Sequence, residues 1–275
     1  MADDLAAKSS KLNIEEDENT VIDLGSDDNR ILDAKTSLML VGKIVSERTV
    51  NLEALRRTMN QIWALNRSMI VRSIGVNLFV FQFFHWKDKE KILAGRPWCF
   101  DEKLLLLEEV RGNEQPSQVV IVSSPFWVWI YNLPFNYRSK TEVSAIAGSL
   151  GLVLNIDLDD LGLEKFCRVK VLLNVYKPLR RKQKIRRKDG KVSSIEYKYE
   201  RLPNFCFRCG VMGHSDKDCH DATYDEDDQE LGWGTWLKAS PLKGRLRNKE
   251  EVVAITTRRK ALFVIKEARG DDGLQ

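Results

Sequence analysis

The pattern of apolar and polar positions predicts an α+β region that begins near residue 37. An apolar run at 38–45 predicts a strand, and Asn51 is placed to cap a helix whose apolar residues recur at helical spacing from Leu52 to Ile62. Extended runs follow at 68–74 and 77–86, then a helix at 88–94 ended by Gly95 and Pro97, and a strand at 103–110. The order β-α-β-β-α-β is that of a ferredoxin-like or RRM-like sheet with both helices on one face. We therefore expect the opposite face to be free.

Three phenylalanines alternate along the third predicted strand. Phe79, Phe81 and Phe83 point to one side, and Leu78, Val80, Gln82 and Phe84 point to the other. RNA-recognition domains place aromatic residues on the open face of this strand to stack bases. The sequence does not show which face is open, and we favour an apolar core for these side chains. They are not predicted as a binding site.

A second α+β half is predicted after a polar connector at 109–124. Residues 126–131 alternate, with Trp127, Trp129 and Tyr131 on one side, and Ser139 with Glu142 forms a capping box for a helix ending near Gly151. Strands at 153–157 and 166–175 complete a β-α-β-β order. Arg168 and Lys170 share a face of the last strand. Beside the tryptophan face they would form an aromatic and basic surface suited to single strands; a solvated edge with packed tryptophans is the alternative.

A basic run at 177–191 precedes the cysteine-rich part of the chain. Asp189 and Gly190 predict a hairpin turn, so the run forms one arm of a β-hairpin. Residues 166–219 hold 15 Lys/Arg against 5 Asp/Glu, a formal charge of +10. Such a charge beside a metal site is typical of phosphate binding, and the run is also compatible with a nuclear localisation signal. The predicted phosphate contacts here are Arg180, Arg181, Lys182, Lys184, Arg186, Arg187 and Lys188, together with Arg168 and Lys170.

Four possible metal ligands follow at the spacing C-x2-C-x4-H-x4-C. They are Cys206, Cys209, His214 and Cys219. Three thiolates and one imidazole close a tetrahedral shell around one Zn²⁺ and leave no position for a substrate water, so the site is predicted to be structural. Gly210 and Gly213 suit a loop that must turn tightly around a metal. The alternatives are that the four residues fall into register by chance, or that two disulfides form; disulfides explain neither the histidine nor the glycines.

This spacing resembles the zinc knuckle of retroviral and retrotransposon nucleocapsid-type proteins. The resemblance implies binding of single-stranded nucleic acid, with Phe207 packed against an unstacked base. The second base-contacting position of that family holds Asp216 here, where an apolar or small residue is usual. Arg208 and Lys217 are therefore expected to supply phosphate contacts.

A wider resemblance covers about residues 36 to 240. It is carried by LVGKI at 40–44, LFVFQFF at 78–84, GRPW at 95–98, PFWVWIYNLP at 125–134 and YERLPNFC at 199–206. These motifs are similar to those of a plant family of retrotransposon origin, the nucleocapsid-like first product of LINE-type elements. Its members have an uncharacterised N-terminal domain followed by a CCHC knuckle. The resemblance implies zinc and nucleic acid binding and no enzyme activity.

Composition places few further limits. The 275 residues hold 44 Lys+Arg against 40 Asp+Glu, a net charge of only +4. No apolar run approaches the roughly 20 residues of a membrane span, and the first residues lack a basic, apolar signal segment. We expect an intracellular protein, in the nucleus or cytoplasm, with Cys99 and Cys167 as reduced buried thiols.

The predicted organisation has six parts. They are a disordered acidic tail at 1–35, a ferredoxin-like domain at 36–112, a second half at 113–176, a basic hairpin at 177–202, a zinc knuckle at 203–220, and a flexible tail, acidic then mixed in charge, at 221–275. The tryptophans near residue 235 are candidates to dock back onto the folded part.

The sequence favours a non-enzymatic protein that binds single-stranded RNA or DNA and has no small-molecule substrate. Self-association through the N-terminal domain is a further hypothesis. A protein–protein adaptor with the knuckle as a structural clip is the alternative. A metal-dependent enzyme using Asp157, Asp159 and Asp160 is disfavoured, because no later stretch supplies further carboxylates.

Overall fold

The computed structural model describes residues 18–19, 21, 35–110, 115–158, 164–220 and 232–239. Most of the acidic tail predicted at 1–35 and most of the tail predicted at 221–275 lie outside this part of the chain. Contacts group the chain into two units: residues 1–43, 50–94 and 107–120 form the first, and residues 44–49, 95–106 and 121–275 form the second. The domain boundaries proposed from the sequence stay predictions.

The first sheet has the ferredoxin-like strand order that the sequence predicts, with one added edge strand. Its strands are β1 (Met39–Ile44), β2 (Ile70–Gly75), β3 (Leu78–Gln82), β4 (Trp98–Phe100) and β5 (Lys103–Glu109), in the order β2-β3-β1-β5-β4. Helix α1 (Leu52–Trp63) follows β1, and helix α2 (Trp86–Ala94) follows β3. Asn51 caps α1 as predicted, because its side chain accepts a hydrogen bond from the Ala54 amide at 3.0 Å.

Two local boundaries differ from the sequence prediction. The extended run predicted at 77–86 ends at Gln82, and α2 begins at Trp86. The reason is the hydrogen bonding of His85. Its carbonyl oxygen accepts from the Asp88 amide, and its Nδ1 accepts from the Lys87 amide. These bonds close the first helical turn two residues earlier in the chain than predicted. The three-residue strand β4 was not predicted, since so short a run carries no periodicity.

The phenylalanines of β3 belong to the core of the first unit. Phe79, Phe81 and Phe83 are all at most 2% exposed. The ring of Trp63, from α1, lies 5.4 Å from that of Phe81 and 6.0 Å from that of Phe83. The preference for a core interpretation over a stacking platform is confirmed.

Strand β5 is buried on both of its faces. Leu104, Leu105, Leu106 and Leu107 follow one another and are each at most 1% exposed. Successive residues of a strand point to opposite faces. The expectation of a free sheet face is therefore wrong at this strand.

The second sheet contains the predicted second half and the basic hairpin. Its strands are β6 (Ser123–Tyr131), β7 (Leu152–Asp157), β8 (Phe166–Asn174), β9 (Lys182–Arg186) and β10 (Val192–Tyr199), in the order β7-β8-β6-β10-β9, all antiparallel. Helix α3 (Lys140–Gly148) starts at Ser139, whose hydroxyl accepts from the Glu142 amide at 3.4 Å. It ends three residues before Gly151, the predicted end.

Strand register separates two chemically different faces of this sheet. Directly paired residues of antiparallel strands lie on one face. Trp127 pairs with Lys170, and Trp129 pairs with both Arg168 and Lys198. We call this the aromatic–basic face; its aromatic and basic residues are Trp127, Trp129, Tyr131, Phe166, Arg168, Lys170, Lys182 and Lys198. The same register also places the acidic residues Glu196 and Asp157 on this face. The other face carries Val128, Ile130, Val169, Val171 and Ile195, each 0% exposed.

Candidate zinc centre and nucleic-acid interface

The four predicted ligands converge at one point. Cys206, Cys209, His214 and Cys219 each bring one ligand atom to a cluster in which all four lie within 4.8 Å of one another. A tetrahedral zinc shell with Zn–S bonds of about 2.3 Å requires sulfur atoms about 3.8 Å apart. The cluster is therefore close to the size that the metal needs.

The donor set also suits a divalent cation electrostatically. Burial raises the pKa of the Cys209 thiol to about 12, and the neighbouring Cys206 and Cys219 add to the rise, while a backbone contact at Val211 opposes it. Three crowded thiols resist ionisation because their negative charges would repel each other. A bound Zn²⁺ removes this penalty, since it binds thiolates directly. The residues thus fit one structural zinc ion.

Two glycines allow the metal-binding loop to turn tightly. Gly210 has φ of +73° and Gly213 has φ of +105°, a region that residues with a Cβ atom rarely occupy. The Gly210 amide donates to the Cys206 carbonyl oxygen at 2.9 Å, which closes the turn between the first two cysteines. This turn brings Cys209 back toward Cys206.

The knuckle is fastened to the hairpin and to a later segment of the chain. The Leu179 amide donates to the Gly210 carbonyl oxygen at 2.9 Å. Trp233 donates through its backbone amide to the Phe207 carbonyl oxygen at 3.1 Å, and through its indole Nε1 to the Leu179 carbonyl oxygen at 2.7 Å. The Arg181 guanidinium lies 4.7 Å from the centre of the Trp233 ring. We call this set of contacts the Trp233 clamp.

The contacts of Trp233 differ from the prediction that residues 221–275 form a flexible tail. Residues 232–239 hold a short 3-10 helix, Thr235–Leu237, and Leu237 is 0% exposed. Of the two tryptophans expected to dock, Trp233 packs on the knuckle, whereas Trp236 is 54% exposed. The two tryptophans are evident in the sequence, but the acidic residues before them gave no indication that Trp233 packs against the knuckle.

The predicted base-contacting and phosphate-contacting residues of the knuckle differ in their exposure. Phe207 is half-buried, with its ring 5.2 Å from that of Phe205. Arg208 and Lys217 are exposed, and within the described residues neither forms an ion pair. Asp216 is half-buried and begins a short 3-10 turn. Nucleic acid contacts at these positions stay predictions.

The basic hairpin forms as predicted, with its cations in a row. β9 and β10 pair around the Asp189–Gly190 turn. Lys182, Lys184 and Arg186 are exposed, alternate along β9, and therefore share one face. Among the residues that the structure describes, none of the three forms an ion pair. We call them the basic row.

The three other predicted arginines of the run have protein partners. Arg180 donates to the Gln183 side chain at 2.7 Å, and Arg181 donates to the Gly232 carbonyl oxygen within the clamp. Arg187 pairs with Asp189 at 3.4 Å across the turn, whereas Lys188 is exposed. These arginines position the hairpin as well as adding charge.

Arg168 and Lys170 do lie beside Trp127, as the sequence analysis considered. The Arg168 guanidinium stacks 3.7 Å from the centre of the Trp127 ring, and the Lys170 Nζ lies 5.8 Å from it. Arg168 also pairs with Asp157 at 2.9 Å and with Glu200 at 2.6 Å. Two carboxylates therefore already neutralise this arginine.

Glu200 is a residue that the sequence analysis missed. It accepts hydrogen bonds from Arg168 and, at 2.5 Å, from the Trp129 Nε1. Burial acts to raise its pKa, but the hydrogen bonds from Arg168 and Trp129 outweigh burial and hold the pKa below the ordinary value. Its partners are 32 and 71 residues away in sequence, so only the strand register could have revealed it.

The remaining residues considered in the sequence are three aspartates and the two cysteines outside the knuckle. Asp157 is bound to Arg168, and Asp159 and Asp160 lie outside the described residues. Cys99 is half-buried and Cys167 is buried, and both are free thiols. Burial raises the pKa of both thiols, to about 11 for Cys99. No helix in the described part of the chain is long and apolar enough to cross a membrane.

Comparison with known families matches two parts of the chain. Residues 32–118 match the profile of Domain of unknown function DUF4283, and residues 173–221 match that of a zinc knuckle. The second match includes the four metal ligands and the whole basic hairpin. A search of curated proteins finds no match. The chain thus carries a DUF4283 domain followed by a zinc knuckle whose Cys206, Cys209, His214 and Cys219 fit one structural zinc ion.

Proposed function

We propose that the chain is a non-enzymatic protein that binds single-stranded RNA or DNA through its zinc knuckle and basic hairpin. The observation that carries the proposal is the basic row, Lys182, Lys184 and Arg186, exposed on a hairpin that hydrogen bonds fasten to the knuckle. A row of cations without protein partners attracts a polyanion, because binding releases the counterions of the phosphates.

The two parts would make complementary contacts. The basic row and Lys188 bind phosphates, and Phe207 packs against an unstacked base, as the zinc knuckle resemblance implies. Arg208 and Lys217 add phosphate contacts on the knuckle itself. Asp216 repels phosphate at its own position, so the charge of the hairpin has to outweigh it.

The origin of the chain is part of the same proposal. A DUF4283 domain followed by a zinc knuckle supports a nucleocapsid-like protein derived from a plant retrotransposon, as the sequence resemblance implies. The LINE-type assignment, a nuclear location and self-association through the N-terminal domain remain hypotheses that go with it.

Binding of zinc-loaded protein to fluorescent single-stranded RNA and DNA across a salt series tests the proposal. Each phosphate contact contributes about −0.7 to the log–log slope of affinity against salt. Lys182→Gln, Lys184→Gln and Arg186→Gln together should flatten that slope by roughly 2 if all three contact phosphates. Cys206→Ser should weaken binding through loss of the knuckle.

The matched control removes the same charge elsewhere. Arg57, Arg67 and Arg72 are exposed on the first unit, and Gln at these three positions changes net charge equally. The proposal requires this control to keep the wild-type slope. Wild-type protein that shows no salt-sensitive affinity for either strand type contradicts it.

The Trp233 clamp favours a second candidate function. A knuckle that is bound on one side by Trp233 and Leu179 resembles a structural clip, which is what a protein–protein adaptor needs. An adaptor predicts that the triple Gln variant keeps its protein partners. The same titration separates the two functions, since an adaptor has no affinity for single strands.

A further inference from the structure

A cavity of about 430 Å³ lies in the second unit, and none of the four metal ligands or the three residues of the basic row lines it. It is bordered by the β4–β5 hairpin, by the segment that follows β10, and by one residue beyond the clamp. Its lining residues are Pro97, Trp98, Cys99, Glu102, Arg201, Leu202, Pro203, Asn204 and Lys238. Neither the zinc site nor the family matches assign it a role.

The apolar part of the cavity offers a flat surface. Trp98 stands on β4, where its pairing with Leu105 fixes the strand, and its side chain is half-buried. Pro97, Leu202 and Pro203 contribute further rigid or apolar lining. An aromatic ring with rigid neighbours is the kind of surface on which a nucleobase stacks.

Two cations border the same cavity. The Arg201 guanidinium donates to the Gly95 carbonyl oxygen at 2.9 Å and lies 5.9 Å from the centre of the Trp98 ring. Lys238 is held by a parallel bridge to Tyr199. Burial raises the pKa of Cys99 to about 11, but the charges of Arg201 and Lys238 act against this rise, which places both cations near the cavity lining.

The positive charge continues beyond the cavity toward the aromatic–basic face. Burial lowers the pKa of Lys170, and the charges of Arg96, Arg168 and Arg201 lower it further. Like charges that crowd together are stabilised by an anion more than by a neutral ligand. Asp157 and Glu200 already neutralise Arg168, so the cations that favour an anion at the cavity are the two that line it, Arg201 and Lys238.

Polar groups at the rim could orient a base. The Asn204 amide nitrogen Nδ2 donates to the Glu102 carboxylate at 2.6 Å, and the Asn204 backbone amide donates to the Glu102 carbonyl oxygen at 2.9 Å. The pair is thereby fixed in place at the β4–β5 turn. Both residues line the cavity together with Trp98, so they place hydrogen-bonding groups beside the proposed stacking surface.

We propose that this cavity binds one nucleotide of a bound single strand, with its base on Trp98 and its phosphate at Arg201 and Lys238. The inference rests on the proposed function and adds a third contact to it. A strand held by the knuckle and the hairpin would thus also place a base against the β4–β5 hairpin of the same unit.

Photo-crosslinking of full-length, zinc-loaded protein tests the site. A 20-nucleotide RNA with 5-iodouracil at single positions should crosslink to a peptide that contains Trp98. Trp98→Leu should weaken binding of the RNA roughly 5- to 100-fold, the range for loss of one stacked base. Trp86→Leu is the matched control, because Trp86 is 55% exposed on α2 with Lys87 beside its ring, and it should bind as wild type does.

Arg201→Gln provides an independent measurement. It should reduce the salt slope by about 0.7, as expected for one phosphate contact. Wild-type protein that binds RNA but gives no crosslink at residues 97–99 or 201–204, with a Trp98→Leu affinity equal to wild type, overturns the inference and leaves the proposed function standing. Wild-type protein that binds no RNA overturns both.

Discussion

The indole Nε1 of Trp233 donates a 2.7 Å hydrogen bond to the carbonyl oxygen of Leu179. This bond joins a residue beyond the knuckle to the first residues of the basic hairpin, ahead of strand β9. Since the Leu179 amide also donates to Gly210, one peptide segment contacts both the tryptophan and the metal-binding loop. The knuckle is thus held by more than its metal.

Trp233→Ala should loosen the zinc-loaded knuckle without releasing the metal. The change removes a half-buried ring and leaves the Leu179 carbonyl without its donor, at a cost of about 2 to 3 kcal/mol in local opening free energy. Hydrogen exchange at residues 205–219 should therefore accelerate. Trp236→Ala is the control, because Trp236 is 54% exposed. Equal exchange in the two variants would contradict a stabilising clamp.

Gly210→Ala should displace Trp233. An added Cβ would lie 2.3 Å from the indole ring, and φ of +73° adds a left-handed strain of about 1–2 kcal/mol. Gly190→Ala carries the same strain, with φ of +78°, but its Cβ would meet nothing within 4 Å. Thermal unfolding should show a larger loss of stability for Gly210→Ala than for Gly190→Ala, and only Gly210→Ala should change the Trp fluorescence. An equal loss of stability in the two variants would mean that contact between the added Cβ and the Trp233 ring does not destabilise the protein.

Glu200→Gln should reduce the acid sensitivity of the second sheet. The folded-state pKa of Glu200 is lowered, so its ion pair stabilises the fold above the unfolded pKa, near 4.5, and this stability is lost as the pH falls through the lower folded value. Urea unfolding at pH 7 should show the variant to be less stable. The difference in unfolding free energy between wild type and the variant should shrink toward pH 3. A difference that stays constant with pH would argue against a stabilising role for the Glu200 carboxylate.

Removal of zinc should unfold the knuckle selectively. Structural zinc supplies roughly 10–16 kcal/mol in finger-type peptides, and the short loop has little core of its own. After chelation, exchange protection should disappear at residues 205–219, while β6 and β8 stay protected. Metal analysis should give one zinc per chain for wild type and Cys99→Ser, and none for Cys206→Ser. Zinc retained by Cys206→Ser would contradict the ligand assignment.

What the sequence could predict was mostly local. The four ligands lie within 14 residues, the Asp189–Gly190 turn is a dipeptide signal, and Asn51 is adjacent to the helix that it caps. Each of these depends on neighbours along the chain, and the structure contains all three.

What the sequence could not predict depends on pairing between distant strands. The Glu200 contacts with Arg168 and Trp129 arise from the register of β6 with β8 and β10. The burial of β5 on both faces likewise gave no distinct signal, because four leucines in succession fit a buried helix as well as a buried strand.

Strand β9 lies at the end of the second sheet, with a hydrogen-bonded neighbour on one side only in the described part of the chain. An edge of this kind can pair with another copy and start aggregation, and charged side chains prevent such pairing. Lys182, Lys184 and Arg186 are exposed on this edge strand, so their like charges would oppose its pairing with another copy. Selection for solubility and selection for a polyanion would preserve the same three residues.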